Sequence, residues 1–113
     1  MSLASQALLV FSNAPNEELA EQLARSLVER RLAACVNILP AMRSIYRWEG
    51  QVEEAREVAM QIKTTAAHYA ELEAAIKTAH PYAVPEIIAI PIMDGLPAYL
   101  DWIKQETSKE RNA

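Results

Sequence analysis

A two-layer α+β fold, with two helices on one face of a four-stranded antiparallel sheet, is what this sequence predicts. Three observations carry that expectation. Val58, Met60 and Ile62 fall at every second position between Glu57, Ala59, Gln61 and Lys63, the period of a half-buried strand. Leu19, Leu23 and Leu27 recur at every fourth position, with Ala20, Ala24 and Val28 beside them, which makes one apolar face of a helix. The patterns along the chain then run β-α-β-β-α-β-α and contain the split βαβ unit of a ferredoxin-like sandwich. Right-handed crossovers put both inner helices on the same side of the sheet.

Each element has its own local cause. Ala7–Phe11 is a short apolar run suited to a buried strand. The break Asn13-Ala14-Pro15-Asn16 ends it, and Asn16 is an N-cap for a helix carrying Glu17 and Glu18 in its first turn and Arg30 and Arg31 at its finish. A long antiparallel hairpin follows, Ala34–Trp48 against Val52–Thr64, reversing at Glu49-Gly50-Gln51 where Gly50 is available for positive φ. Pro40 cannot donate to a ladder and predicts a bend or bulge in the first arm. Tyr69, Leu72 and Ile76 space a second helix over Ala66–Ala79, and Glu86–Ile92 is the last strand. After the turn Asp94-Gly95, the residues Leu96, Tyr99, Leu100 and Ile103 form the face of a short C-terminal helix with Pro97 in its first turn.

At 113 residues the chain is one domain, 1–113, with its core over about 6–107 and a polar C-terminal tail that is expected to fray. Fifteen acidic and eleven basic residues give a formal charge of -4, no footprint for nucleic acid or for an anionic membrane. The N-terminus lacks a signal-peptide pattern, no run approaches the ~20 apolar residues of a membrane span, and Cys35 has no partner for an internal disulfide. These features predict a cytoplasmic protein. Hydrophobic residues make up 51% of the chain, and two helices cover only one face of the sheet. The other face therefore predicts burial between subunits.

The chain carries none of the motifs G-x-x-x-x-G-K, H-E-x-x-H, C-x-x-C or G-x-S-x-G, nor a dinucleotide glycine fingerprint, and no enzyme is predicted. The segment K-T-A-H-P-Y-A-V-P-E holds His80 and Tyr82 between Pro81 and Pro85, and the prolines make it a stiff exit from a helix. A histidine there can bind a metal, contact a neighbouring subunit or cap the helix. His68 stands at the other end of the same helix, too far to share a metal with it within one chain, which leaves a site shared between subunits. Cys35 reads as a small buried hydrophobe. Tyr46, Trp48 and Glu49 near the hairpin tip, with Tyr82, are candidates for a subunit interface or cleft. Ser12, Asn13 and Glu86 fall at strand ends, while Glu53, Glu54 and Glu57 are expected to face solvent or answer an arginine of another subunit.

Five pieces resemble the CutA family of divalent-cation tolerance proteins. They are L-V-E-R-R-L-A-A-C-V-N-I at Leu27–Ile38, S-I-Y-R-W-E-G at Ser44–Gly50, Q-I-K-T at Gln61–Thr64, H-P-Y-A-V-P-E-I-I at His80–Ile88 and G-L-P-A-Y-L-D-W at Gly95–Trp102. The resemblance implies a homotrimer of ferredoxin-like subunits with sheets edge to edge and long hairpins engaging neighbours. It also implies a role in the response to metal ions, with copper or another divalent cation as a ligand rather than an obligatory cofactor. In the family's copper-binding pattern a cysteine near the end of the first strand joins two consecutive histidines before P-Y. Ser12 and Ala79 stand at the first two of those positions, so His80 is the metal candidate that remains, with Glu86 as a weaker second. The alternative function is a trimeric scaffold or regulatory adaptor, binding a small molecule or a protein partner in clefts between subunits.

Overall fold

One strand, paired on both sides, organises the sheet. In the computed structural model, which describes residues 3–108, β1 (Ala7–Ala14) lies between β3 (Gln51–Thr65) and β4 (Ile87–Pro91), and β2 (Cys35–Trp48) closes the order β2-β3-β1-β4. All three pairings are antiparallel. The helices α1 (Glu17–Glu29) and α2 (Ala66–Ala79) and the C-terminal α3 (Pro97–Thr107) complete the ferredoxin-like α+β fold. A 3-10 turn at Leu3–Ser5 precedes β1 and was not legible in the sequence. The helix α3 runs to Thr107, and the end of the polar tail, 109–113, lies outside the described residues.

Register decides which side chains meet. Val10 pairs with Ile62 and Ser12 with Met60 across β1 and β3, and Val36 pairs with Ile62 across β2 and β3. Val10, Met60 and Ile62 are fully buried and join Leu23, Leu27, Leu72 and Ile76 of the two helices in one core. Residues of the other parity, among them Leu9, Phe11, Ile88 and Ile90, lie on the opposite face. Ile88 and Ile90 are 55% and 49% exposed in the single chain. Cys35 shares that face through its pairing with Lys63, so it is half-buried in one chain rather than part of the core.

Helix ends follow the residues supplied for them. Asn16 Oδ1 accepts the Leu19 N–H at 2.8 Å, the N-cap bond that its residue type favours. At the far end Arg31 has φ 59, while Leu32 N–H donates to Leu27 O at 2.9 Å and Arg31 N–H to Val28 O at 3.1 Å. That pair of bonds is a Schellman motif with arginine in the place usually taken by glycine. The Arg31 guanidinium donates to Glu106 O of α3 at 3.1 Å, a tether that glycine lacks. Both basic residues expected in the last turn thus fall just beyond it. Val28, expected on the buried face of α1, is 41% exposed. In α3 the buried residues are Ile103 and Thr107, whereas Leu96 and Tyr99 face outward, because α3 packs on β3 and β1 through one narrow stripe.

The hairpin is longer than the sheet it feeds. Glu49 (φ 50) and Gly50 (φ 81) join Trp48 to Gln51, and positive φ at both loop residues is the type I′ geometry that matches strand twist. The pairs Leu39↔Ala59 and Met42↔Glu57 leave one extra residue in β2, a bulge at Pro40-Ala41. That residue reverses the parity of β2. Beyond it Ser44, Tyr46 and Trp48 occupy the side that Cys35, Asn37 and Leu39 hold before it. Because β1 ends at Ala14, opposite Val58, the distal arms project past the sheet and stretch the chain to 49 × 26 × 23 Å.

Replacing Ile62 with alanine is expected to lower the unfolding free energy by about 2–5 kcal/mol through loss of core contacts and the cavity left behind. Asn16→Ala is expected to cost about 1 kcal/mol, since one helix N–H loses its acceptor. Guanidinium denaturation at fixed chain concentration measures both.

Candidate functional site

The C-terminal end of β1 and the 80–86 segment are joined by short hydrogen bonds that begin at His80. As the C-cap of α2 it has extended backbone, φ -86 and ψ 137, the conformation that Pro81 favours for the residue before it. Its side chain is buried, 8% exposed. Nε2 lies 2.6 Å from the Asn13 carbonyl oxygen, and Nδ1 accepts the Tyr82 N–H at 3.2 Å. A backbone N–H only donates, so Nδ1 carries no proton and Nε2–H donates to Asn13. Both ring nitrogens are thereby engaged within one chain. The Tyr82 ring lies 4.5 Å from the imidazole, centroid to centroid.

Tyr82 extends the chain of bonds to the hairpin. Its hydroxyl donates to Glu57 Oε2 at 2.9 Å. Burial is the main cause that pushes the Tyr82 phenol up to about 12, and the Glu57 carboxylate, as acceptor and as nearby negative charge, adds to it. Asn13 closes the other side, donating from Nδ2 to Glu86 Oε1 at 3.0 Å. Asn13 therefore holds the 80–86 segment twice, by its carbonyl at His80 and by its amide at Glu86. Tyr69 lies against the start of β4, its single hydroxyl proton donated to Glu73 Oε2 at 3.0 Å with the Ile87 carbonyl oxygen 3.4 Å away as the longer alternative acceptor. Burial, then Glu73, raises its pKa as well.

A cavity of about 800 Å³ lies between the hairpin and this segment. Tyr46 and Trp48 line it from the hairpin, Tyr82 and Glu86 from the loop, Asn13 from β1 and Glu57 from β3. The bulge at Pro40-Ala41 is what brings the two hairpin aromatics to this side. Three of the four expected cleft residues, Tyr46, Trp48 and Tyr82, thus meet at one cavity, while Glu49 sits in the turn and does not line it. For Glu57 the solvent-facing alternative is overturned. Instead of facing solvent it is 7% exposed, because the 80–86 segment folds back over it. Alternation places Glu57 away from the core but carries no signal for a loop that closes over it.

Donors for a metal within one chain are poorly arranged. His68 begins α2 and His80 caps it, about 18 Å apart along the axis. Ser12 points into the core side of the sheet, and its Oγ is the only buried side-chain polar atom without a hydrogen-bond partner among the described residues. Glu86 is already held by Asn13, and no group of three or more His, Cys, Asp or Glu side chains is placed to hold an ion among the described residues. Cys35 Sγ lies 3.8 Å from Asn37 Oδ1, which also accepts a short bond from Lys63 Nζ. The donor set of a single chain therefore does not fit a specific metal centre.

Sheet order, helix placement, long bulged hairpin and histidine-pinned loop together define a ferredoxin-like protein with a projecting β-ribbon. The chain belongs to the CutA1 divalent ion tolerance protein family, whose model matches residues 8–106. A divalent-cation tolerance protein CutA of Thermus thermophilus is 48% identical over 99 residues, 88% of this chain and 96% of its own length. Protein CutA of Mus musculus is 46% identical over 103 residues, 91% of this chain. The match spans 58% of the mouse protein and 54% of its Homo sapiens counterpart. Among solved structures, the divalent cation tolerance protein of Thermus thermophilus superposes with TM-score 0.88 at 47% identity, covering 90% of this chain and 99% of its own. CutA1 from Oryza sativa reaches TM-score 0.90 at 39% identity, covering 96% and 100%.

With Tyr82 raised in the folded chain, the unfolded chain loses its phenolic proton first as pH rises. Stability is expected to be unaffected by this group below pH 10 and to fall between pH 10 and about 12. Tyr82→Phe should flatten that fall in denaturation curves and remove the latest-titrating part of the tyrosinate absorbance.

Proposed function

We propose that this chain acts without catalysis, as a homotrimeric divalent-cation tolerance protein. The observation that carries the assembly is the apolar sheet face on the side away from α1 and α2. An antiparallel sheet packed on one side ordinarily presents polar residues on the other, yet Leu9, Phe11, Ile88 and Ile90 are there, the last two 55% and 49% exposed in the single chain, and on the other side of the projecting hairpin Ile45 and Val52 are exposed at 66% and 67%. Apolar surface in that arrangement favours association with further copies. Three is the number implied by the family resemblance. Family membership supports the tolerance role, and the missing motifs of the common hydrolases and nucleotide enzymes support a role without turnover. A lone cysteine agrees with a reducing compartment, and no described helix is long and apolar enough to cross a membrane.

Copper association belongs to this proposal as a weak interaction near His80 and Glu86. A metal at His80 must displace either the Asn13 carbonyl or the Tyr82 N–H from the ring, and that loss opposes binding. Glu86 or a group from another subunit supplies the second donor.

Sedimentation equilibrium is expected to show three chain masses, and Ile88→Asp to shift the population toward monomers by burying a charge between subunits. A variant that sediments unchanged would remove this face from the assembly. In native mass spectra taken during a Cu(II) titration, with Zn(II) for comparison, the proposal expects discrete uptake that declines in His80→Ala. Equal uptake by that variant would discard His80 as a ligand.

A further inference from the structure

The Glu57 carboxylate has an unusual setting. It is buried to 7% exposure, and among the described residues it receives one hydrogen bond, from the neutral hydroxyl of Tyr82. Within one chain, no lysine or arginine among the described residues lines the cavity it faces. Burying a carboxylate is costly unless a positive group or several donors compensate it. The surroundings supply aromatic surface instead, from Tyr46, Trp48 and Tyr82. A second carboxylate, Glu86, stands at the rim and is oriented by Asn13.

We infer that this cavity binds a small organic cation bearing N–H groups, a guanidinium or protonated amine on a short aliphatic stem, with Glu57 as its counter-ion. Charge and shape both select this class. Two carboxylates in a lining that holds no basic side chain of the same chain disfavour anions. Aromatic faces attract weakly hydrated cations through their quadrupoles, and the N–H groups satisfy carboxylate lone pairs that Tyr82 leaves open. A divalent metal fits less well, because it requires several oxygen or nitrogen ligands in one shell and no group of three ionisable ligands is in place among the described residues. The volume of about 800 Å³ lies within the usual range for small-molecule sites. This inference does not depend on metal tolerance or on copper uptake near His80.

Isothermal titration of the intact assembled protein at low ionic strength tests it, with butylguanidinium as the cationic probe and butylurea as its neutral, near-isosteric counterpart. Saturable binding of one butylguanidinium per chain is expected, with butylurea at least about tenfold weaker. Glu57→Gln should weaken butylguanidinium binding by at least about tenfold, while Glu21→Gln, which removes a distant negative charge on α1, leaves it unchanged. Trp48→Ala, a change on the projecting hairpin, should weaken it independently and replaces Glu57→Gln should that variant fail to fold. The inference is overturned by an absence of saturable butylguanidinium binding up to the millimolar range. It is equally overturned by butylurea binding as tightly, or by binding that is indifferent to the Glu57 and Trp48 changes.

Discussion

The bond from His80 Nε2–H to the Asn13 carbonyl, 2.6 Å long and buried, sets the path of the chain from α2 to β4. An imidazole with one protonated nitrogen offers one donor and one acceptor, and this site uses both: the donor reaches back to β1 and the acceptor holds the N–H of Tyr82. With the ring held, Tyr82 is carried to Glu57, and the 80–86 segment becomes a wall rather than a free loop. Pro81 and Pro85 restrict the backbone on either side, so the side-chain bonds have little conformational freedom left to remove. The cavity, the burial of Glu57 and the raised pKa of Tyr82 all descend from this arrangement.

A second constraint comes from one extra residue in β2. Strand side chains alternate strictly, so a bulge at Pro40-Ala41 exchanges the faces of everything distal to it. Before the bulge the face away from the helices carries Cys35, Asn37 and Leu39, and after it Ser44, Tyr46 and Trp48. Proline is well suited to such a place, since it has no N–H to withhold from a ladder. The same hairpin thus offers apolar sheet surface near its base and an aromatic cavity wall toward its tip. Assembly and ligand recognition can then be served by different stretches of one ribbon.

His80 also shows how one residue supports two readings. Seen in the sequence beside Pro81 and Tyr82, it is a metal candidate, a subunit contact or a helix cap, and in the structure its capping position and both hydrogen bonds are plain. Those bonds do not forbid a metal, but they set an opposing cost. Ser12 sharpens the point, because its hydroxyl is directed into the core side of the sheet and has no hydrogen-bond partner among the described residues. A family associated with divalent cations is thus represented by a chain whose single-protomer donors are sparse and already engaged.

Much of the architecture was present in the chain itself. The four-residue spacing of Leu19, Leu23 and Leu27, the alternation through Val58, Met60 and Ile62, the Asn16 cap, the Glu49-Gly50 reversal and the interruption at Pro40 are local properties, and each marks its element within a few residues. Strand β1 proved three residues longer than its apolar run, since Ser12, Asn13 and Ala14 take their conformation from pairing with Met60, Ala59 and Val58. The candidate site was half legible: Tyr46, Trp48, Tyr82 and Glu86 could be singled out by type and position, but not their meeting at one cavity. The burial of Glu57 within one chain and the double role of Asn13 were invisible, because both depend on contacts between residues 25 to 73 positions apart. Local patterning records which face of an element is apolar; which loop folds over that element is decided only when hydrogen bonds between distant segments close.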